Sequence, residues 1–175
     1  MKRILITGAT GNVGESVIHH LAQKQSEIEV YAGVRNIDRA KRKFAGYPKL
    51  KYKVFDFENP ETFREAFKEV ETVFLLRPPQ ISSIKKYFEP LIQAMKEQSA
   101  DKVVFLSVQG AERSDVIPHR KIEKLILSGG FSYIFLRPSY FMQNLTTTLI
   151  EDIRKNRRIS LPAGRAKFNW IDVDN

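Results

Sequence analysis

The amino-acid sequence predicts an α/β protein built on one doubly wound parallel β-sheet. Apolar runs of five or six residues alternate along the chain with segments whose apolar residues recur at helical spacing, which is typical of a parallel sheet covered by helices on both faces. A glycine-spaced turn, Gly8, Gly11 and Gly14, directly follows the first apolar run. With 175 residues, 42% of them hydrophobic, the chain is long enough to bury the core of one such domain.

The first half of the chain carries four predicted strands and two predicted helices. These are strands at residues 4–6, 28–34, 50–55 and 72–76, and helices at residues 13–21 and 60–70. The first helix is predicted because its apolar residues share one helical face, and the strand after it because its residues alternate in polarity. Pro60 lies near the first turn of the second helix, where proline is tolerated.

The second half continues the alternation with two more strands and two more helices. These are helices at residues 81–98 and 119–128, and strands at residues 102–106 and 132–136. Pro78 and Pro79 force a loop before the third helix, and Pro90 is expected to kink or divide that helix. Gly129 and Gly130 stop the last helix. This order of elements predicts the sheet order 3-2-1-4-5-6, with ligands at the carboxyl ends of the strands.

The glycine turn predicts what binds there. Its spacing is GxxGxxG rather than GxGxxG, and a glycine turn alone also serves as structural punctuation. Strand, turn, helix and strand nevertheless follow one another within about 30 residues, the size of one βαβ unit. In such a unit the glycines make a tight turn, let the backbone approach a pyrophosphate and let the helix pack closely, while the helix N-terminus offers unpaired N–H groups. The pattern favours a dinucleotide site in a Rossmann-like sheet over a purely structural turn.

Two residues that follow strands bear on the choice of dinucleotide. Arg35 follows the second strand, where an NAD site usually offers a carboxylate to the ribose hydroxyls, and an arginine there can pair with a 2′-phosphate. The sequence therefore favours NADP(H) over NAD(H), although Arg35 can also simply begin a basic surface helix with Arg39, Arg42 and Lys43. Asp56 follows the third strand and either accepts a bond from an adenine amino group or caps the turn before Pro60.

Charge and composition narrow the classes of partner. The formal net charge is +9, but the basic residues are spread along the chain without a recognition helix or an RNA-binding signature, so no specific nucleic-acid partner is expected. A basic surface still attracts an anionic cofactor. The chain has no cysteine, which excludes disulfides and thiolate sites, and it has no apolar stretch of membrane-spanning length. We expect a cytoplasmic protein.

Several stretches together resemble the NmrA-like family of atypical short-chain dehydrogenase/reductases. They lie at residues 6–14, 33–36, 56, 119–123 and 136–144, so the resemblance spans nearly the whole chain. Its most diagnostic parts are the glycine turn and the Arg-Pro-x-x-Phe-x-x-Asn stretch after the sixth strand. The family includes quinone reductases, triphenylmethane dye reductases and NADP-sensing regulators that have lost catalysis.

The resemblance implies a set of cofactor contacts. It implies pyrophosphate contacts from Gly8, Thr10, Gly11, Asn12 and Val13, a 2′-phosphate contact from Arg35, and adenine contacts from Asp56 and Phe57. Gly14 belongs to the same cofactor-binding turn and lets the helix pack closely. It further implies a nicotinamide-side wall of Leu76, Arg77, Ser107 and Val108. Tyr140, Phe141 and Asn144 are candidates for an apolar substrate pocket with one polar contact, or else are core residues.

The catalytic residues are less well specified. The Tyr-x-x-x-Lys pair of the better-known short-chain dehydrogenases is absent, because Ile117 and Arg120 stand four residues before the two lysines of this region. His119, Ser107 and Lys121 are the candidate catalytic residues. His119 can act as an acid or simply bond to Glu123 one turn later, and Ser107 can orient substrate or bond to backbone. No metal site is predicted, because this His/Glu pair lacks a third ligand.

The predicted domains are an NAD(P)-binding Rossmann domain at residues 1–155 and, at residues 156–175, the start of a truncated C-terminal substrate lobe, most of which is absent. The first functional hypothesis is an NADPH-dependent oxidoreductase that transfers hydride to a quinone-like or other small conjugated acceptor. The alternatives are a non-catalytic NADP-sensing regulatory protein and a nucleotide-sugar epimerase-like enzyme. The oligomeric state is open, with a homo-oligomer among the possibilities.

Overall fold

The computed structural model describes residues 2–23, 27–98, 100–161, 167 and 169–174. Its main feature is one six-stranded sheet in the order β3-β2-β1-β4-β5-β6, with every neighbouring pair parallel, as predicted. The strands are β1 (Lys2–Ile6), β2 (Ile28–Val34), β3 (Lys51–Val54), β4 (Thr72–Leu76), β5 (Lys102–Leu106) and β6 (Ser132–Leu136).

Helices connect the strands and cover both faces of the sheet. They are α1 (Asn12–Ala22), α2 (Ile37–Lys43), α3 (Phe63–Phe67), α4 (Ile84–Glu97) and α5 (Pro118–Gly129). Leu5 and Ile6, neighbours in β1, are both 0% exposed and point into opposite cores, as the two-residue period of a strand requires. The Leu5 face carries α3, α4 and α5, whereas the Ile6 face carries α1 and α2.

Two helices differ from the sequence prediction. The expected helix at 60–70 is a 3₁₀ turn at Pro60–Thr62 followed by the short α3. The chain leaves the helical region at Lys68, whose ψ is 125°, and Glu69 follows with a φ of +62°. Of the two expected effects of Pro90, the division of α4 is wrong, since one helix runs through this residue, while a kink stays a prediction. Pro90 is on the exposed side of α4, where water can satisfy the carbonyl that loses its N–H partner, while Phe88 and Leu91 stay buried.

The sixth strand also departs from expectation. An apolar strand of this kind was expected to be buried on both faces, but Tyr133, Ile134 and Leu136 are 49%, 47% and 41% exposed. These side chains are exposed because β6 is the edge strand of the sheet and pairs with β5 alone. The apolar composition of this segment therefore predicted the strand β6 correctly, but the burial expected from it was wrong.

The chain divides into two compact units, residues 1–137 and residues 138–175. The second unit contains β7 (Tyr140–Phe141), α6 (Ile150–Asn156) and β8 (Trp170–Ile171), and β7 pairs with β8 in parallel. The first unit holds the six-stranded sheet and ends before residue 155. Since compactness does not define a ligand-binding domain, the boundary proposed at 155 stays a prediction. Among the described residues, no helix combines the length and apolar character that crossing a bilayer requires.

Thr7 connects β1 to β4 at the carboxyl edge of the sheet. It is 0% exposed, and its Oγ1 donates to the Phe74 carbonyl at 3.1 Å and accepts the Leu76 N–H at 2.9 Å. We expect Thr7→Val to lower the free energy of unfolding by about 1–3 kcal/mol in urea denaturation, because the part-buried Leu76 N–H loses its acceptor. Exposed Thr148 provides the control, and an equal effect of Thr148→Val would contradict this explanation.

Candidate functional site

The turn after β1 requires glycine at two of its three positions. Gly8 has φ of +60°, a left-handed conformation, and a Cβ there would lie 2.8 Å from Leu76 Cδ1. A Cβ at Gly14 would lie 2.3 Å from the Gly8 carbonyl oxygen. At Gly11 the nearest described atom would be 3.4 Å away, an ordinary contact, so the protein's own packing does not require glycine there. A missing side chain at Gly11 instead leaves the backbone open to close approach.

The turn leads into a helix N-terminus suited to an anion. Gly11 is the N-cap of α1 and, among the described residues, no side chain caps this end. The first-turn N–H groups of Asn12, Val13 and Gly14 have no partner within the helix, and the helix dipole adds partial positive charge at this end. Together with the two tight glycines, this is the geometry that accepts a pyrophosphate. Sequence reasoning assigned these positions to the cofactor, and the structure brings them together.

A cationic cleft lies beside the glycine turn. Its volume is about 570 Å³, and its lining is Thr10, Val34, Arg35, Asn36, Arg39, Ala40 and Lys43. Asn36 caps α2 by accepting the Arg39 N–H at 2.8 Å, which starts the helix immediately after Arg35. Arg39 and Lys43 are one helical turn apart and line the same cleft. Three cations surrounding one cleft fit an additional phosphate.

Lys43 also joins the second helix to the glycine turn. Its Nζ donates to the Thr10 carbonyl at 3.0 Å and pairs with Glu15 of α1 at 2.6 Å. Sequence analysis treated Arg39 and Lys43 only as surface cations of a basic helix. Arg39 and Lys43 follow Arg35 at intervals of four residues, and Arg35 comes at the end of a strand. This spacing could have indicated that both residues line the cleft beside Arg35.

A second cleft of about 160 Å³ lies at the carboxyl ends of β1, β2 and β3. It is lined by Gly8, Ala9, Thr10, Gly33, Val34, Arg35, Phe55, Asp56, Phe57, Glu58, Pro78, Gln80 and Ile81. Asp56 and Phe57, the expected adenine contacts, are therefore in the cleft that adjoins Arg35. Asp56 Oδ1 accepts the Glu58 N–H at 3.0 Å, so the turn-capping alternative is realised, and the carboxylate keeps further acceptor positions. Phe57 is 7% exposed and packs against Phe55.

The expected nicotinamide-side residues follow β4 and β5. Leu76 packs against Gly8, and its N–H bonds to Thr7. Arg77 is held by backbone, because its Nη1 donates to the carbonyls of Pro78, Pro79 and Ile81. Ser107 and Val108 follow β5 directly, and β5 pairs with β4 in register, so the two loops leave the same edge of the sheet.

Ser107 belongs to a buried polar network that sequence analysis did not foresee. Ser107 is 1% exposed, and its hydroxyl donates to Glu123 Oε1 at 2.7 Å. Glu123 of α5 is 0% exposed and also accepts Arg137 Nε at 2.9 Å, Arg137 Nη2 at 3.0 Å and Arg120 Nη1 at 3.1 Å. The one proton of the Ser107 hydroxyl is thus committed to a carboxylate. This geometry does not favour the expected substrate-orienting role of Ser107, nor its alternative bond to backbone.

The Glu123 carboxylate remains ionised in this network. Burial alone would raise the pKa of Glu123, but the hydrogen bonds from Arg137, Ser107 and Arg120 outweigh burial and hold it below its ordinary value. With four donors, the acceptor positions of the carboxylate are filled. Glu123 therefore ties the ends of β5 and β6 to α5, and it is not a free acid or base.

His119 and Lys121, the other two catalytic candidates, have different surroundings. His119 is half-buried, and its Nε2 accepts Arg77 Nε at 3.4 Å, so its hydrogen-bond partner is Arg77 rather than the expected Glu123. Burial, with a further contribution from the Arg77 charge, lowers the pKa of His119 to about 4. Lys121 is exposed on α5. His119 is neutral at physiological pH, and the structure gives Lys121 no side-chain partner among the described residues.

The candidate substrate residues lie in the second unit. Tyr140 and Phe141 form β7, and the Tyr140 ring meets Trp170 edge-on with centroids 5.2 Å apart. The Asn144 carbonyl accepts the Leu149 N–H at 2.8 Å. Both aromatic residues are half-buried within their own unit, and their role toward a substrate stays a prediction. Within the described residues, no cluster of three metal-ligating side chains occurs.

Comparisons with known proteins agree with this geometry. A family described as NAD(P)H-binding matches residues 8–161. The chain is 32% identical over 171 residues to Prestalk A differentiation protein A of Dictyostelium discoideum, covering 97% of this chain and 55% of that protein. It is 25% identical over 144 residues to quinone oxidoreductase 2 of Escherichia coli, covering 81% of this chain and 50% of that protein.

Two solved structures have the same fold. The triphenylmethane reductase of Citrobacter sp. complexed with NADP(H) superposes with a TM-score of 0.78 at 22% identity, covering 98% of this chain and 61% of that one. The Escherichia coli quinone oxidoreductase 2 complexed with NADPH gives a TM-score of 0.73 at 23% identity, covering 87% of this chain and 54% of that one. The chain thus spans about half the length of the proteins it matches. With the family match extending over residues 8–161, the chain belongs to the NAD(P)H-binding family, in its NmrA-like branch of Rossmann-like proteins.

Proposed function

We propose that the protein is an NADPH-dependent oxidoreductase that reduces a quinone-like or other small conjugated acceptor. The observation that carries the NADPH preference is the cationic cleft, in which Arg35, Arg39 and Lys43 surround the position next to the glycine turn. Among the residues that the structure describes, none that lines this cleft carries a carboxylate, whereas NAD sites usually offer one there to the ribose hydroxyls. The family match and the names of two relatives, a quinone oxidoreductase and a triphenylmethane reductase, support the type of reaction.

The residues of the first unit fit the parts of such a cofactor. The N–H groups at the start of α1 would hold the pyrophosphate, and Arg35 with Arg39 would hold the 2′-phosphate. Asp56 has acceptor positions left for an adenine amino group, and Phe57 supplies an apolar wall. When bound, the nicotinamide supplies a hydride, so the acceptor gains two electrons and one hydrogen, takes a second proton from solvent or a protein donor, and leaves the cofactor oxidised.

The protein's own contribution is mainly to bind and orient. Arg77 and Leu76 are fixed by backbone bonds at the carboxyl edge of the sheet, which provides a preorganised wall beside the cofactor cleft. His119 is held against Arg77, and because its pKa is lowered to about 4 its ring is neutral near pH 7 and can still hydrogen-bond. We retain it as the candidate partner of the acceptor.

The cofactor preference is tested by Arg35→Ala. We expect the affinity for NADPH to fall by about 10- to 100-fold and that for NADH to change little, since a charge-assisted bond to phosphate contributes about 1.5–3 kcal/mol. Calorimetric titration with both dinucleotides measures this. Arg42→Ala is the matched control, because Arg42 is an exposed cation of α2, the helix that follows Arg35, and lines neither cleft. Equal losses for NADPH and NADH would show that Arg35 does not read the 2′-phosphate.

The reductase activity is tested by NADPH oxidation in the presence of a panel of quinones and triphenylmethane dyes. The complete gene product should consume NADPH with at least one of these acceptors, and a Gly14 variant should not. Saturable binding of NADPH without consumption of any acceptor would contradict the reductase proposal.

That outcome would favour a second candidate function, a regulator that senses NADP(H). Two observations support this alternative: neither Lys121 nor Lys124 of α5 has a tyrosine four residues before it, and the Ser107 hydroxyl is committed to Glu123. The relative named Prestalk A differentiation protein A also carries a developmental rather than an enzymatic name. Nucleotide-sugar epimerisation is disfavoured by Arg35 and by the missing pair.

A further inference from the structure

Arg77 is an unusually constrained arginine for a loop position. Its Nη1 donates to three backbone carbonyls, those of Pro78 at 3.3 Å, Pro79 at 3.2 Å and Ile81 at 2.6 Å. Because the guanidinium is planar, fixing Nη1 in this way also fixes the direction of the Nε–H bond. That bond points to His119, with Arg77 Nε 3.4 Å from His119 Nε2.

The contact determines which nitrogen of His119 carries the proton. Arginine has donors and no acceptor, and it stays protonated in proteins. His119 Nε2 must therefore present its lone pair to Arg77, which leaves the ring proton on Nδ1. Among the described residues, none accepts a hydrogen bond from Nδ1, so this N–H is left for water or a bound molecule.

The other groups around His119 do not supply a second proton. Glu123, one turn later on α5, carries a negative charge that acts on His119, but its oxygens are occupied by Ser107, Arg120 and Arg137. From β5 the uncharged Phe105 ring packs against the imidazole, with centroids 6.1 Å apart. Burial and the positive charge of Arg77 lower the pKa of His119 to about 4, and Glu123 opposes this effect only in part.

We propose that Arg77 is a positioning residue that holds His119 as the neutral Nδ1–H tautomer, so that His119 offers a hydrogen bond, and not a proton, to a polar atom of the acceptor. The role toward the acceptor rests on the proposed oxidoreductase function. The assignment of the tautomer is independent of that function, because it follows from the Arg77 contact alone. In this arrangement His119 polarises the acceptor, and the proton that accompanies hydride transfer comes from solvent.

The tautomer is measurable without turnover. The chain has three histidines, and ¹⁵N-edited NMR of the imidazole rings, with His119→Gln for assignment, reports both the tautomer and the titration of His119. In the wild-type chain we expect the Nδ1–H tautomer and no titration of His119 between pH 5 and 8. Titration near the ordinary value of about 6.5, or an Nε2–H tautomer, would overturn the proposal.

Two variants at Arg77 separate charge from packing. Arg77→Met removes the donor and the charge while keeping an apolar stem, so the pKa of His119 should rise by about one unit, with burial still holding it below 6.5. Arg77→Lys keeps a cation that can only donate, so His119 should stay neutral at pH 6. Arg113→Met, at an arginine that is 87% exposed, is the matched control and should leave the His119 titration unchanged. An unchanged His119 titration in Arg77→Met would contradict the proposal, and the wild-type spectrum tests it even if that variant does not fold.

Failure of this inference is distinguishable from failure of the proposed function. If the gene product oxidises NADPH while His119 titrates normally, the tautomer assignment is wrong and the reductase proposal stands. If His119 is a neutral Nδ1–H ring but no acceptor is reduced, the reductase proposal fails and Arg77 still fixes the ring. If the reductase proposal and the tautomer assignment are both correct, the pH profile of turnover from pH 5 to 8 should show no inflection from His119 in the wild type. In Arg77→Met an inflection should appear near pH 5.

Discussion

Gly14→Ala is expected to destabilise the protein by about 3 kcal/mol or more and to abolish dinucleotide binding. Gly14 lies inside α1, where helix propensity alone would make alanine stabilising by about 1 kcal/mol. The added Cβ would, however, lie 2.3 Å from the Gly8 carbonyl oxygen and 2.8 Å from Ala9 Cα. Both are backbone atoms, which cannot move aside as a flexible side chain can, so the steric cost is at the upper end of overpacking effects. Urea denaturation measures the change in the free energy of unfolding.

Gly46→Ala is the matched control for this effect. At Gly46 an added Cβ would have no described neighbour within 4 Å, and the residue is not in the left-handed region. We expect its free energy of unfolding to change by less than about 0.5 kcal/mol or to rise slightly. If Gly14→Ala were as stable as Gly46→Ala but bound no dinucleotide, the close contact between helix and turn would be wrongly assigned. Equal stability and equal binding would contradict the glycine turn as a phosphate site.

Glu123→Ala is expected to produce a second large loss of stability, about 3 kcal/mol at pH 7. Removing one partner of a buried ion pair typically costs about 3–5 kcal/mol because the remaining charge is left unpaired. We expect a cost at the lower end of this range, because the Arg137 and Arg120 side chains are 32% and 23% exposed and water can solvate their charges in the variant. Glu112→Ala provides the control, since Glu112 also faces Arg137, at 3.5 Å, but its side chain is 41% exposed. If Glu112→Ala were as unstable as Glu123→Ala, the claim that the buried Glu123 carboxylate contributes most of the stability of this network would be contradicted.

The same network gives a pH dependence of defined sign. Because the pKa of Glu123 is lower in the folded protein than its ordinary value of 4.5, the stability it contributes is fully present above pH 4.5 and is lost as pH falls toward the folded pKa. The difference in the free energy of unfolding between wild type and Glu123→Ala should therefore shrink below pH 4.5. A difference that stays constant from pH 7 to pH 3 would contradict the ionised state of Glu123.

The sheet could be predicted from the sequence because each strand and helix is indicated by the polarity pattern of its own short segment. β4 is an apolar run, β2 alternates in polarity, and the segments between the strands are amphipathic. The handedness of parallel connections then leaves few possible orders of strands. The errors arose where burial rather than local pattern decides. Pro90 continues its helix because its side of α4 faces water, and β6 is exposed because it pairs with one strand only.

The candidate site was predictable where a single turn carries it. The tight packing at Gly8 and Gly14 follows from their spacing, and Arg35 was singled out because it comes at the end of a strand, where it lines the cationic cleft. Contacts between distant segments were not predictable from one sequence. Arg77 meets His119 across 42 positions, and Ser107 meets Glu123 across 16, although nothing in the local pattern of either residue indicates its partner. Such pairings depend on how the loops of a folded sheet meet.

The central claim is that the glycine turn and the cationic cleft beside it bind NADPH. Isothermal titration of the 175-residue chain with NADPH and with NADH, at one ionic strength, tests it most directly. We predict saturable binding of NADPH with an affinity at least about tenfold higher than that for NADH, the difference that one charge-assisted phosphate contact supplies. The absence of saturable binding by either dinucleotide would contradict the claim, and equal affinities would contradict the assignment of the cationic cleft to the 2′-phosphate.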